Sequence, residues 1–67
     1  MKTGKYQHFK GNFYQVLHIA KHSETEEEMV VYHPENDISN IWVRPLIMFN
    51  EVLIKDGKTI KRFHYVD

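Results

Sequence analysis

The chain predicts an all-β domain: a small barrel or rolled sheet of five or six antiparallel strands with one short helical turn. Three observations support that expectation. Apolar residues recur in short runs rich in β-branched and aromatic side chains, tight turn signals separate the runs, and no stretch suits a helix beyond a single turn. The 67 residues make one domain, 1–67, with no room for a second core, and residues 1–5 are expected to be flexible. A chain this short buries only about 60% of the surface its unfolded form exposes. It has no cysteine, so disulfides and thiolate zinc sites are excluded. Large aromatics, 13% of the residues, must then supply much of the core.

The elements follow in order. Tyr6-Gln7-His8-Phe9-Lys10 alternates loosely and stops at the turn pair Gly11-Asn12. Phe13 to His22 reads as a strand, with Tyr14 and Val16 on one face and Leu17 and Ile19 on the other; the phase change near Leu17-His18 suits a bulge or a strong bend. A helix competes here, since Val16, Ile19 and Ala20 fall at helical spacing, but no helix cap precedes them. His22 to Glu28 is a polar loop in which Ser23 and Glu26 fit a capping box. Met29 to His33 is a strand ended by Pro34, and Pro34-Glu35-Asn36-Asp37 is a turn.

Ile41-Trp42-Val43-Arg44 is the next strand, and Pro45 holds Arg44 extended. Leu46 and Phe49, three apart, fit one side of a single helical turn, with Met48 pointing elsewhere. Asn50 to Lys55 and Ile60 to Val66 then pair across Asp56-Gly57, the strongest hairpin signal in the chain. The expected core is Phe9, Val16, Ile19, Val31, Ile41, Val43, Leu46, Phe49, Val52 and Ile54. With Ile41 and Val43 as a core pair, alternation turns Trp42 and Arg44 outward or to the rim.

Charge is segregated although the formal net charge is zero. Glu24, Glu26, Glu27, Glu28, Glu35 and Asp37 fall in a window without Lys or Arg. That window reads first as a solvated hairpin tip and second as a docking surface. No apolar run nears the roughly 20 residues of a membrane span, and Met1-Lys2-Thr3-Gly4-Lys5 lacks a signal-peptide core, so a cytoplasmic location is expected.

Tyr6-Gln7-His8-Phe9-Lys10-Gly11, Ala20-Lys21-His22-Ser23-Glu24-Thr25, Val30-Val31-Tyr32 and Trp42-Val43-Arg44-Pro45-Leu46-Ile47-Met48-Phe49 carry a resemblance. Together they resemble a family of small bacterial domains of unknown function whose signature reads YxHFKG, AxHSET, VVY and WVRPxxMF. The resemblance spans nearly the whole chain. It implies an SH3-like small barrel and no reaction. In such barrels an acidic loop, a tryptophan and a proline before a helical turn line a shallow groove, parts that His22 to Glu28, Trp42 and Pro45 would play here. That is a fold-level analogy, and one fold hosts many functions.

Chemistry is sparse. His18 and His22 have metal spacing only on a helix; on a strand they stand about 13 Å apart, so no metal or other cofactor is expected. Ser23 lacks the strand-turn-helix elbow of a nucleophile, and no enzyme is expected. Better candidates for contact with a protein or peptide partner are Trp42 and Arg44, with Tyr6, Tyr14, His22 and Glu24 around them. A homo-oligomer would use the same surface. The alternative is weak binding of single-stranded nucleic acid through Lys2, Lys5, Lys10, Lys55, Lys58, Lys61 and Arg62; the acidic window and zero net charge oppose it.

Overall fold

The computed structural model describes residues 1–66. Its strands are β1 (Gly4–His8), β2 (Phe13–Lys21), β3 (Glu28–Pro34), β4 (Trp42–Pro45), β5 (Val52–Lys55), β6 (Lys58–Lys61) and β7 (Phe63–Tyr65), with α1 (Leu46–Phe49) after β4. Five strands form one antiparallel sheet in the order β4-β3-β2-β1-β7, and β5 with β6 forms a separate hairpin. The sheet is open: among the described residues no pairing joins β4 to β7, so of the small barrel or rolled sheet expected no closed barrel is seen, and the SH3-like barrel that the resemblance implies is not confirmed. β1 takes in Gly4 and Lys5, two of the residues expected to be flexible, because Gly4 pairs with Val16 and Lys5 with Gln15.

The bulge is where the phase change puts it. Val16 lies opposite Tyr32, and the register then shifts so that His18 meets Val31 and Ile19 meets Val30. The extra residue, Leu17, brings Val16 and Ile19 onto the same face, which a regular strand cannot do. The hairpin signal also holds: Asp56 and Gly57 have φ of 52° and 75°, and Lys55 pairs with Lys58 across them.

The strand count differs from the expected five or six. The return strand expected over Ile60 to Val66 breaks at Arg62 into β6 and β7. Arg62 donates its N–H to the Glu51 carbonyl and accepts from the Phe9 N–H, while its guanidinium meets the Glu51 carboxylate at 2.6 Å. Those bonds draw the backbone out of one hairpin and into the next sheet.

The core is Tyr6, Val16, Val30, Tyr32, Phe49 and Phe63, with Tyr14, Ile19 and Leu46 packed against it. Phe49 stacks on Phe63 with centroids 4.1 Å apart and meets Tyr6 and Tyr32 edge-on at 5.4 Å each. Aromatic pairs in such arrangements contribute about 0.5–1.5 kcal/mol beyond their area. Of the expected core, Val16 and Phe49 are buried and Ile19 and Leu46 adjoin them. Phe9 and Val31 are half-buried. Ile41, Val43, Val52 and Ile54 are exposed, at 53%, 61%, 55% and 81%.

The reversal at β4 has a physical cause. Trp42 lies opposite Tyr32 and Arg44 opposite Val30, so both share the face of those buried residues. α1 follows directly from Pro45 and sends Phe49 across that same face. Large rings then fill the inner side, and the smaller pair Ile41 and Val43 is left outside.

Candidate functional site

At the β4 edge of the inner face, Trp42 packs edge-on against Tyr32 at 5.8 Å and tilts against Tyr14 at 6.1 Å. Its indole N–H donates to Asn40 Oδ1 at 2.9 Å, which fixes the ring with 40% of the residue still exposed. Arg44 is half-buried beside it. Its Nε donates to the Tyr32 hydroxyl at 3.3 Å, and its guanidinium lies over Phe63, 5.8 Å from the ring centroid. The ion pairs among the described residues are Lys5–Glu35 and Arg62–Glu51, so Arg44 is held by rings and a hydroxyl, without a carboxylate.

His8 completes the cluster. Its ring meets Phe63 at 4.9 Å and Tyr14 at 6.4 Å, both edge-on, and Nδ1 accepts the Lys10 N–H at 3.1 Å. Burial first, then the charges of Arg62, Lys10 and Arg44, hold its pKa below the ordinary 6.5. The ring is therefore mainly neutral at pH 7, and the acceptor role of Nδ1 leaves the proton on Nε2. Reading the sequence for binding residues missed His8. The signal was there in the β1 alternation, which sets His8 on the face of Tyr6. A shallow depression of about 470 Å³ opens beside Tyr14, between Gly11–Asn12 and Pro34–Asn36, at the rim of this cluster.

Trp42, Arg44 and Tyr14 thus lie together on the inner face, around Tyr32 and Phe63. The other three candidates lie elsewhere. Tyr6 is a core residue at 6% exposure, edge-on to Phe49 and Tyr65, and its hydroxyl donates to the Lys2 carbonyl at 2.6 Å. Burial raises its pKa. A ring committed to the core has little surface to offer a partner.

His22 and Glu24 sit in the β2–β3 loop beyond the Lys21–Glu28 pair, while Trp42 pairs with Tyr32 four residues further along β3, roughly 13 Å away. His22 Nδ1 accepts the N–H groups of Glu24 and Thr25 at 3.1 and 3.3 Å, and Thr25 Oγ1 accepts that of Glu27 at 3.2 Å. This loop spends its polar groups on its own turn.

Among the described residues no group of three or more His, Asp or Glu is placed to hold a metal ion. No helix is long and apolar enough to cross a membrane. Of the basic residues named for a nucleic-acid face, Lys5 pairs with Glu35, Arg62 with Glu51, and Lys2 sits 5.1 Å from the Tyr65 ring, while Lys10 and Lys55 both lie over the Phe9 ring, at 5.8 and 6.0 Å.

Residues 4–65 match the model of a family described as a protein of unknown function, DUF1653. A crystal structure of a DUF1653 protein from Bordetella bronchiseptica is similar in fold, with a TM-score of 0.85 and 32% identity; the match covers 98% of this chain and 87% of that one. No curated protein matches the chain. With the family model spanning nearly all of the described residues, the chain belongs to the DUF1653 family, whose function is unknown.

Proposed function

We propose that this domain is a non-enzymatic interaction module that binds a protein or peptide through Trp42, Arg44 and Tyr14, with His8 beside them. The observation that supports this reading is the state of Arg44: half-buried on Phe63 and Tyr32, next to an exposed indole, and uncommitted to any carboxylate. Trp and Arg in a fixed, partly desolvated setting are the side chains that dominate binding energy at interfaces. The rings around Arg44 limit its side-chain freedom, so less entropy is lost when a partner docks. The rolled sheet, with a tryptophan and a proline-led helical turn, supports an SH3-like layout left open between β4 and β7.

The test is affinity capture from native lysate with the wild type, Trp42→Ala and Arg44→Gln, with light scattering on each. The captured set should shrink in both variants while their circular dichroism stays that of the wild type. Unchanged capture and unchanged oligomeric state in Trp42→Ala would remove this reading. Single-stranded nucleic acid is the rival ligand, supported by the three lysines of the exposed β5–β6 hairpin. Fluorescence anisotropy with short RNA at about 0.15 M salt, where screening extends about 8 Å, should show at most weak binding.

A further inference from the structure

We infer that β4 accepts an extended peptide as an added strand of the sheet, and that Arg44 holds a carboxylate side chain of that peptide. The inference rests on the interaction-module reading and gives its partner a chemistry.

β4 is an edge strand, and among the described residues no turn or loop hydrogen bond reaches the backbone of Trp42, Val43 or Arg44. Free edges are normally guarded by lysine, by an interior proline, by a bulge or by a covering loop. Here Pro45 stands at the strand's end, and the residues before it expose Ile41 at 53% and Val43 at 61%. The edge is short, four residues with Pro45 last, and its outer face is apolar.

An added strand has a period of two, so its side chains divide between two surfaces. One set meets Ile41 and Val43 and is apolar. The other meets Trp42, which is 40% exposed, and half-buried Arg44, whose guanidinium calls for an anion. Carboxylate geometry matches the planar guanidinium fork. Lys10 acts on neighbouring His8 with the same sign as Arg44, whereas the third such charge, Arg62, is offset by the Glu51 carboxylate.

Two other occupants fit less well. A second copy of β4 offers Ile-Trp-Val-Arg-Pro, which has no carboxylate and sets a second arginine nearby. A nucleic-acid strand needs several phosphate contacts in a row, and the three lysines that would offer them lie on the β5–β6 hairpin, outside the sheet that carries β4. An extended peptide supplies both the backbone hydrogen bonds and the single charge.

A random-peptide display library panned against the wild type, Trp42→Ala and Arg44→Gln tests this, with folding of each variant checked by circular dichroism. The wild type should enrich sequences that alternate β-branched residues with Asp or Glu. Amide replacement of the acid, or Arg44→Gln, should weaken the enriched peptides on the order of tenfold, the effect of one charge-assisted hydrogen bond. Nuclear magnetic resonance should show protection of the amides of Trp42, Val43 or Arg44 in the complex, and proline inserted at the centre of the peptide should abolish binding.

No enrichment, enrichment without acidic residues, or acid preference that persists in Arg44→Gln overturns the inference. So does a dimer in light scattering that Val43→Asp dissociates. Peptides lost in Trp42→Ala yet indifferent to Arg44 would overturn the carboxylate while leaving the interaction module standing. Peptides indifferent to both residues would sink the two together.

Discussion

Between β2 and β3 the chain turns through residues 22–27, and between β5 and β6 through Asp56 and Gly57 alone. The long turn needs help. His22 and Thr25 side chains collect its amides, and Glu26 sits at φ 61°, a strained position for a residue with a Cβ. The short turn needs none, since its φ values already follow the twist of the strands. Burial runs the other way. β2 and β3 supply Val16, Val30 and Tyr32, at 1%, 0% and 3% exposure, whereas β5 exposes most of Val52 and Ile54. Turn chemistry decides where a hairpin forms, and burial decides how firmly it stays. The β5–β6 hairpin should therefore open locally while the five-stranded sheet remains folded.

The largest test of that separation is Phe49→Ala. Phe49 is fully buried and joins α1 to Tyr6, Tyr32 and Phe63. Its loss should cost about 3–5 kcal/mol, the whole stability that a core of this size supplies. The variant should show no cooperative melt by circular dichroism. A clear two-state transition near the wild-type temperature would mean that the sheet is held by something other than this ring cluster.

Gly57→Ala probes the other side. Gly57 has φ 75° with nothing near where a Cβ would stand, so the cost is backbone strain alone, roughly 1–2 kcal/mol. It should appear as faster amide exchange confined to Val52–Lys61, with the main melting transition unmoved. Equal acceleration in β2 and β3 would join the two hairpins into one cooperative unit and break the comparison.

Acid should act on the sheet through His8. Its folded pKa is lowered from 6.5, first by burial and then by Arg62, Lys10 and Arg44. As pH falls below 6.5 the unfolded chain takes the proton first, so stability present above that value is lost down to the folded pKa and then levels off. His8→Gln should flatten part of the stability change that urea titrations read between about pH 7.5 and 5.5. An identical slope in both proteins would remove His8 from the account.

Much of this was legible in the chain. The Leu17 bulge, the Asp56-Gly57 turn and the helical turn from Leu46 to Phe49 each have a local chemical cause, and each stands where the sequence puts it. The two faces of β4 were legible as an alternation but not as inside and outside. Ile41 and Val43 are the more apolar pair, and the choice was made by register against Tyr32 and Val30, which one strand does not encode. His22 and Glu24 share a loop motif with no mark of distance from Trp42. Arg62 gave no local sign that it would end one strand and begin another; its partners, Phe9 and Glu51, lie far off in the chain.

The smallest expected effect is that of Ile54→Thr. Ile54 lies opposite Thr59 in the hairpin and is 81% exposed, so it has little apolar burial to lose. Threonine keeps the β-branch that suits a strand. The change in global stability should stay within about 0.5 kcal/mol, as for other surface positions away from caps and cores. Ile19→Thr places the same polar group on the inner face against the core, where a hydroxyl without a partner costs about 1–3 kcal/mol. Chemical melts of the two variants side by side read the contrast directly. A loss at Ile54 as large as at Ile19 would show the hairpin's exposed face packed against something in solution, and the second copy of this chain would be the first occupant to look for.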